Sequence, residues 1–370
     1  MSIDNEVPPL HGLGFEEFAT LGRRTFLEAR GEAKGSGIAG ELYARFFREG
    51  TMRPEASGLT PASIALWKTV CTTDSPLSLE GVHRDETNGD RVAAKAVFRL
   101  TDGPRIETVW IPMDGGASGR GTLCLSSQAG CAMACAFCET GRTGLIRNLT
   151  AAEIVAQVHE ARFGLGWDFS SLVFMGMGEP LHNLDALIPA LKVLTDPRGF
   201  GFAQEKITVC TVGLVDGIEK LAALGWKRMG LSLSLNAGGQ HLRERLMPAG
   251  VTNALPDLHR TLAAYPQRRN FVLALNYCLI PGVNDTETDA LEVAAFAQGL
   301  GRTVINVIPY NPGTVPMAPA PTEPEVDAFL SHLRATGLDA RVRGTKGRSI
   351  MAACGQLGGI RAKETSGGPF

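Results

Sequence analysis

Three cysteines stand close together in the stretch CAMACAFC, as Cys131, Cys135 and Cys138. Thiolates bind soft metals, and two kinds of site suit this set. A structural zinc ion takes four protein ligands, and Cys124, a short distance upstream, is the available fourth one. A 4Fe-4S cluster can be held by three cysteines, which leaves one iron open to a substrate or cofactor. Because Cys124 lies inside a strand-like run and zinc motifs usually arrive as two paired knuckles, the spacing favours the cluster.

Unusual residues recur at the ends of successive strand-like runs. The cysteine loop follows the run GTLCLSS, and five more short motifs end the runs that come after it: GMGEP, TVG, LNA, PGVND and YNP. The carboxyl ends of parallel strands share one edge of a sheet, where α/β proteins build their sites. The sequence therefore predicts that all six motifs face one site.

The elements that position these motifs alternate between two periods. From about residue 121 to residue 347, apolar or β-branched runs are separated by helical patterns of about 10 to 15 residues. This alternation predicts an α/β fold with a parallel sheet, either doubly wound or curled into a partial or complete (βα)-repeat barrel. Thr150 and Glu153 form a predicted capping box, and Asp216 is a predicted cap of a later helix.

The flanking segments have other patterns. Residues 1–85 contain helical segments such as FEEFATLGRRTFLEAR without alternating strands, which predicts a small N-terminal helical domain. Residues 86–120 contain two strand-like runs around TDGP and are predicted to form a β-hairpin connector. The core is assigned to residues 121–350. Residues 351–370 form a C-terminal segment that contains Cys354 and ends in KETSGGPF, which is expected to be disordered.

The composition places limits on the partners. The first residues lack the basic and apolar blocks of a signal peptide, and no apolar run reaches membrane-spanning length, so we expect a cytoplasmic protein without a membrane partner. Eight cysteines in a reducing compartment indicate metal-binding, catalytic or buried thiols rather than a disulfide framework. A net charge of -2 does not indicate a nucleic-acid partner, so any surface for one must be local.

A family resemblance adds to these patterns. CxxxCxxC after the first strand of a (βα)-repeat core resembles the radical S-adenosylmethionine (SAM) superfamily, and GMGEP resembles its stretch that meets the SAM amino group. Over about residues 98–359 the chain resembles, more specifically, the RlmN/Cfr family of RNA adenine methyltransferases. The stretches that carry this resemblance are GTLCLSSQAGCAMACAFCETG, RNLTAAEIVAQV, FMGMGEPLHN, RLMPAG, PGVND and AACGQLGG. The resemblance implies a radical SAM barrel core and a 4Fe-4S cluster on Cys131, Cys135 and Cys138.

The chemistry that the resemblance implies suits carbon 2 of adenine. This carbon is electron-poor and cannot attack a SAM methyl group, so a one-electron route supplied by the cofactor is needed. By resemblance, the Cys354 thiolate takes a methyl group from one SAM, and a radical made from a second SAM removes a hydrogen from that methyl. The resulting carbon radical adds to the base. Cys124 then attacks the Cys354 sulfur and releases the product as a disulfide forms, and Glu107 accepts the proton.

Both residues have simpler interpretations when they are taken alone. Most free cysteines are small buried hydrophobic residues, as Cys354 would then be. A lone glutamate on a strand, such as Glu107, is more often a solvated edge residue. Cys71 and Cys278 match nothing in the family and are predicted to lie in the core.

The resemblance also implies SAM contacts at the strand ends. They are Gly178, Glu179, Cys210, Ser234, Leu235, Asn236 and Asn311. Each is also explained as strand-end polar chemistry that holds a loop. Asn236 stands where the family usually has histidine, and Cys210 stands where serine is usual. The connector MDGGASGRG is longer than is typical. Because an amide cannot carry a proton in the physiological range, these departures bear on the substrate rather than on the radical machinery.

We expect the substrate to be an adenosine of the 23S rRNA peptidyl-transferase centre, with tRNA as the second candidate. Three alternatives stay open: a divergent paralogue that acts on another adenosine, carbon 8 methylation of the Cfr type, and a zinc-stabilised RNA-binding protein without enzyme activity. The family further implies two SAM molecules per turnover and an external electron donor such as flavodoxin, and a monomer is the default. Basic residues that could meet RNA phosphates are Arg341, Arg343, Lys346, Arg348, Arg268, Arg269, Arg23 and Arg24.

Overall fold

The computed structural model describes residues 7–85, 92–113, 121–266 and 268–359. Within these residues most strands join one ten-stranded sheet, and two short strands form a separate pair. The strands are β1 (Leu77–Arg84), β2 (Ala94–Leu100), β3 (Arg105–Pro112), β4 (Gly121–Cys124), β5 (Gln128–Gly130), β6 (Leu145–Asn148), β7 (Phe169–Phe174), β8 (Ile207–Thr211), β9 (Gly230–Ser234), β10 (Leu273–Leu279), β11 (Thr303–Pro309) and β12 (Ala340–Val342).

Helices precede the sheet and connect its parallel strands. The helices are α1 (Phe15–Arg30), α2 (Ala39–Glu49), α3 (Pro61–Val70), α4 (Glu139–Thr143), α5 (Ala151–His159), α6 (Leu184–Thr195), α7 (Val215–Ala222), α8 (Gln240–Leu246), α9 (Leu255–Ala263), α10 (Glu287–Ala297) and α11 (Glu323–Ala335). No helix within the described ranges is long and apolar enough to pass through a membrane.

The predicted (βα)-repeat core is confirmed. Strands β4, β7, β8, β9, β10, β11 and β12 are neighbours in that order, and all of them pair in parallel. Helical connections return the chain to the starting edge, which is the crossover that parallel pairing requires. Among the described residues β1 and β12 are the two outer strands of the sheet and do not pair with each other, so the repeat forms an open, partial barrel. The carboxyl ends of seven strands therefore share one edge.

The predicted hairpin is also present, but it continues the core sheet. β2 and β3 pair antiparallel, and the turn at TDGP is closed by the Gly103 N–H, which donates to the Leu100 carbonyl at 2.9 Å. β3 then pairs antiparallel with β4. Most of the segment MDGGASGRG, which leads into β4, lies outside the described residues, and the tail KETSGGPF lies wholly outside them.

Two details of the sequence analysis were wrong. Leu77–Arg84 forms β1 although no strand was predicted before residue 85. This edge strand pairs with β2 through its backbone, and most of its side chains are exposed, so it shows no apolar alternation. Asp216 does not cap α7, which begins at Val215, and the Val215 N–H instead donates to the Asn253 side chain at 3.0 Å. The capping box of Thr150 and Glu153 is confirmed at the start of α5.

The three N-terminal helices pack through aromatic side chains. Trp67 of α3 is fully buried against α1, where a Cβ on Gly22 would lie only 2.5 Å from its ring. The cluster continues into the barrel, because His11 contacts both Phe46 of α2 and His159 of α5 at ring-centroid distances of 4.9 Å. The helical region thus shares one core with the barrel, while its exact boundary as a domain stays a prediction.

The two histidines of this junction are buried as neutral rings. Both nitrogens of His11 and Nε2 of His159 have no hydrogen-bond partner within the described residues. Burial lowers the pKa of His11 to about 3, with His159 adding to the effect, and burial lowers the pKa of His159 to about 4. In the unfolded chain both titrate near pH 6.5, so the native state binds fewer protons below that pH. Their burial therefore weakens folding as the pH falls from about 6.5 toward 4.

The junction should make stability pH-dependent. Near pH 5 each buried histidine contributes a slope of about 1.4 kcal/mol per pH unit to the free energy of unfolding. We expect His11→Leu to reduce the slope measured by urea unfolding by about this amount, since leucine cannot gain a proton in the unfolded chain. His241→Leu, which removes an exposed imidazole, is the matched control. An unchanged slope in His11→Leu would contradict this account of the junction.

Candidate active site

Two neighbouring cavities lie at the carboxyl edge of the parallel strands. One has a volume of about 140 Å³ and is lined by Cys131, Cys135 and Cys138; we call it the loop cavity. The other has a volume of about 300 Å³ and is lined by Cys124 and Cys210; we call it the thiol cavity. Cys354 lines both cavities. The predicted convergence of strand-end motifs is therefore confirmed for these groups.

The three-cysteine loop runs from the end of β5 to the start of α4. Cys131 and Cys135 are each 8% exposed, and Cys138 is partly exposed. Backbone hydrogen bonds hold the loop: the Cys131 N–H donates to the Gly144 carbonyl at 2.9 Å, and the Ala136 N–H donates to the Leu246 carbonyl at 2.9 Å. The loop is thus anchored both to its own helix and to the end of α8.

The thiols of this loop suit a metal cluster. Burial raises the pKa of Cys131 to about 12 and raises those of Cys135 and Cys138, and each thiolate would be further opposed by its neighbours. Positive iron ions would hold all three as thiolates. In the described ranges no three His, Cys, Asp or Glu side chains are arranged round one metal ion. Three soft sulfur donors on one cavity fit a 4Fe-4S cluster with one iron not bound by cysteine.

Four of the predicted SAM contacts line the same cavity: Gly178, Glu179, Ser234 and Asn236. The Glu179 carboxylate accepts from the Val212 N–H at 2.9 Å and from the Leu181 N–H at 3.0 Å. Burial nevertheless raises its pKa to about 7. Its position next to the cysteine loop agrees with a contact to a charged cofactor group, although that contact stays a prediction.

Asn236 has a structural reason for its identity. Its φ of 58° is left-handed, a conformation that asparagine adopts more readily than most residues. Its side-chain oxygen accepts from the Cys278 N–H at 2.8 Å, and its amide donates to the Met247 sulfur at 3.1 Å. The amide that replaces the usual histidine therefore fixes the ends of β9 and β10.

The remaining predicted SAM contacts lie elsewhere. Leu235 is completely buried and lines neither cavity. Cys210 and Asn311 line the thiol cavity instead of the loop cavity. The Asn311 amide donates to the Cys354 carbonyl at 3.2 Å, and its oxygen accepts from Arg348 at 3.0 Å. Asn311 is therefore placed to hold the Cys354 backbone.

The thiol cavity brings two predicted catalytic cysteines together. Cys124 ends β4 and is buried, whereas Cys354 is exposed on the C-terminal segment. Burial raises the pKa of Cys124, and the nearby Cys354 and Cys210 raise it further, while Arg343 acts in the opposite direction. Both cysteines are free thiols in this structure.

Glu107 holds that C-terminal segment through a hydrogen bond to its backbone. Its side chain is buried in β3, forms an ion pair with Lys95 at 3.4 Å and accepts from the Gly358 N–H at 3.0 Å. Lys95 is fully buried in β2 and also donates to the Met351 carbonyl at 3.0 Å. Glu107 is thus no solvated edge residue. It lines neither cavity, and its role as proton acceptor stays a prediction.

A second anchor holds the start of the segment. Asp85 follows β1 and accepts from the Gly347 N–H at 3.1 Å and from the Ser349 hydroxyl at 2.6 Å. The sequence analysis did not identify Asp85 or Lys95 as functional. Lys95 carried a usable signal, since a lysine inside the apolar run AAKAVF is unusual. Asp85 carried none, because its partners are more than 260 positions away in the chain.

The basic candidates divide into two groups. Arg343 and Lys346 line the thiol cavity, next to Cys354. Arg341 lies beside Asp339 at 3.3 Å, and Arg348 donates to Asn311. The exposed residues Arg23, Arg24, Arg268 and Arg269 line neither cavity. Contact with RNA stays a prediction for all eight residues, of which only Arg343 and Lys346 line a cavity.

Known proteins resemble this chain in sequence and in structure. The Radical SAM superfamily profile matches residues 125–294. A protein from Protochlamydia amoebophila, named "Probable dual-specificity RNA methyltransferase RlmN 1", is 38% identical over 89% of this chain and 90% of its own length. A protein from Nitrosopumilus maritimus, named "Ribosomal RNA large subunit methyltransferase N", is 41% identical over 76% of this chain and 80% of its own length.

A solved structure, a radical SAM methyltransferase from Sphaerobacter thermophilus, superposes with a TM-score of 0.83 at 33% identity, covering 95% of this chain and 99% of that one. The chain therefore belongs to the radical SAM superfamily and, within it, to the RlmN/Cfr family of RNA methyltransferases.

Proposed function

We propose that this enzyme transfers a methyl-derived carbon from SAM to carbon 2 of an adenosine in RNA, with Cys354 as the carrier. The position of Cys354 is the observation that carries the proposal, because it lines the cavity of the three-cysteine loop and the cavity of Cys124 at once. A methyl group on its sulfur would face the cofactor on one side and the base on the other. We expect ribosomal RNA as substrate, supported by the name of one relative, with tRNA second.

Each residue has a distinct task in this proposal. Cys131, Cys135 and Cys138 hold the 4Fe-4S cluster, and Gly178, Glu179, Ser234 and Asn236 contact SAM. The cluster and SAM, when bound, supply the one-electron chemistry that carbon 2 requires. Cys354 receives a methyl group from one SAM. A radical made from a second SAM would remove a hydrogen from this methyl group, and its carbon then bonds to carbon 2 of the adenosine.

Release of the product needs a second thiol and a proton acceptor. Loss of the ring proton and of the unpaired electron, which the one-electron cofactors would take back, leaves a thioether between Cys354 and the adenosine. The Cys124 thiolate then attacks the Cys354 sulfur, the disulfide forms as the carbon–sulfur bond breaks, and the released carbon takes up a proton to become the methyl group of the product. Glu107 accepts the proton that leaves carbon 2 of the adenosine. An external reductant such as flavodoxin supplies electrons, and the protein acts as a cytoplasmic monomer. Arg343 and Lys346, at the rim of the thiol cavity, bind RNA phosphates.

Metal content tests the ligand set. After purification and reconstitution without oxygen, the protein should be brown and contain about four irons per chain. Cys138→Ala should lose the colour and most of the iron, because only two thiolates remain. Cys71→Ala, a buried cysteine far from the loop in the sequence, is the matched control and should keep both. Bound zinc without iron would overturn the proposal in favour of a zinc-stabilised protein.

The carrier role predicts three separable variants. Incubation with SAM should place a methyl group on Cys354, detected by peptide mass spectrometry. Cys354→Ala should keep its iron and yield no methylated RNA. Cys124→Ala should stop at a covalent adduct of protein and RNA, because the adduct has no thiol to resolve it. Cys210→Ser, in the same cavity, should still release product. Nucleoside digestion should give 2-methyladenosine, and 8-methyladenosine would sink the assignment to carbon 2.

Glu107 allows its two roles to be separated. Glu107→Gln keeps an oxygen that can accept from the Gly358 N–H but removes the base, so it should accumulate the same adduct as Cys124→Ala. Lys95→Met should instead lower the free energy of unfolding by about 3–5 kcal/mol, because it leaves a buried carboxylate unpaired. The double variant Lys95→Met/Glu107→Gln should recover part of the lost free energy of unfolding, because it leaves no unpaired carboxylate. Normal turnover by Glu107→Gln would restrict Glu107 to holding the segment.

A further inference from the structure

Arg243 is a buried cation whose bonds are all to neutral groups. It lies in α8 and is 1% exposed. Its guanidinium donates to the Leu235 carbonyl at 2.7 Å, to the Ser234 carbonyl at 3.1 Å and to the Val212 carbonyl. In the described part of the chain no carboxylate forms an ion pair with it, and its Nε has no partner. Burying a charge without a counter-charge is costly, so this arrangement calls for an anion nearby.

The groups beside Arg243 belong to the loop cavity. Val212 and Ser234, whose carbonyls accept from the guanidinium, line that cavity together with Cys135. The next residues of α8 hold the cysteine loop, because the Leu246 carbonyl accepts from Ala136, and Met247 lines the cavity. Glu179, the buried carboxylate of the cavity, accepts from backbone N–H groups of Val212 and Leu181 instead of from Arg243. Within the ranges that the structure describes, no carboxylate therefore neutralises the arginine.

We propose that Arg243 is the counter-charge of the cluster and raises its reduction potential. The inference rests on the cluster ligands assigned under the proposed function. A 4Fe-4S cluster on three thiolates becomes more negative by one charge when it accepts an electron from the external reductant. A fixed cation at short range in a poorly polarisable interior stabilises the reduced form more than the oxidised form. The hydrogen bonds that the guanidinium donates to the Val212, Ser234 and Leu235 carbonyls hold the cation in place, and two of these residues, Val212 and Ser234, line the loop cavity.

Two variants at one position separate charge from hydrogen bonding. Arg243→Gln keeps an amide donor and removes the charge, whereas Arg243→Lys keeps the charge and loses the planar fork. Arg245→Gln is the matched control, since Arg245 lies on the same helix and is exposed to solvent, which screens its charge. Iron content is measured first on each reconstituted protein. The reduced fraction is then followed by electron paramagnetic resonance during a dithionite titration with redox dyes.

We expect about four irons per chain in every variant. In Arg243→Gln the ratio of reduced to oxidised cluster at a fixed potential should fall about tenfold, which corresponds to about 59 mV for one electron. Arg243→Lys and Arg245→Gln should stay close to wild type. If Arg243→Gln loses its iron while Arg243→Lys keeps it, the charge requirement is equally supported.

Three results would overturn the inference. The first is a wild-type potential in an iron-loaded Arg243→Gln. The second is an equal shift in Arg243→Lys and Arg243→Gln, which would assign the effect to packing and not to charge. The third is iron loss in both variants. If the glutamine variant does not fold, a tenfold shift in Arg243→Lys alone contradicts the proposal. Absence of iron from the wild-type protein would instead refute the proposed function, so the two failures are distinguishable.

Discussion

The position of Cys354 depends on a buried contact between charged side chains and the backbone of the C-terminal segment. Lys95 and Glu107 lie on neighbouring antiparallel strands, and together they bond to the backbone at Met351 and Gly358, on both sides of Cys354. Asp85 holds the same segment at its start. An exposed segment near the end of a chain would ordinarily be mobile. Here three buried side chains bring its thiol to the mouth of the parallel sheet.

The antiparallel strands β1, β2 and β3 therefore have a function beyond extending the sheet. β2 and β3 carry Lys95 and Glu107, and Asp85 directly follows β1, whereas the parallel strands supply the strand-end loops and the short pair β5–β6 leads into the cysteine loop. Because a buried ion pair is stable only when its remaining donors and acceptors are satisfied, the backbone of the segment completes the pair as much as the pair holds the segment. This mutual dependence allows Cys354 to stay exposed between two cavities.

Charge is distributed unevenly around the loop cavity. Three thiols and the buried Glu179 carboxylate line this cavity, and Arg243 lies behind its wall, bonded to the backbone of Val212 and Ser234 with no ion pair among the described residues. Burying the Arg243 charge against neutral carbonyls costs free energy, because no counter-charge offsets the loss of hydration. In the proposed function a cluster on the three thiolates would be anionic and would supply the missing charge.

Much of the site could be predicted from local patterns. The spacing of Cys131, Cys135 and Cys138 predicted a metal loop, and the alternation of strand and helix predicted that six motifs share one edge, where the structure brings the three cysteines, Glu179 and Asn236 to one cavity. Leu235 shows the limit of this inference, because a motif position next to Ser234 points into the core and not into the cavity. Strand β1 was missed because an edge strand held by backbone pairing needs no apolar pattern.

The sequence by itself determined the chemistry that is encoded over short distances: the cysteine spacing, the repeat of strands and helices, and the family motifs. Only the tertiary structure decided which cavity Cys354 shares with Cys124, which residues anchor the C-terminal segment, and that Arg243 has no acidic partner among the described residues. These contacts join positions that are up to about 260 residues apart, and they depend on which groups the fold removes from water. Local periodicity carries no record of such pairings, because burial and proximity arise only when the sheet is assembled.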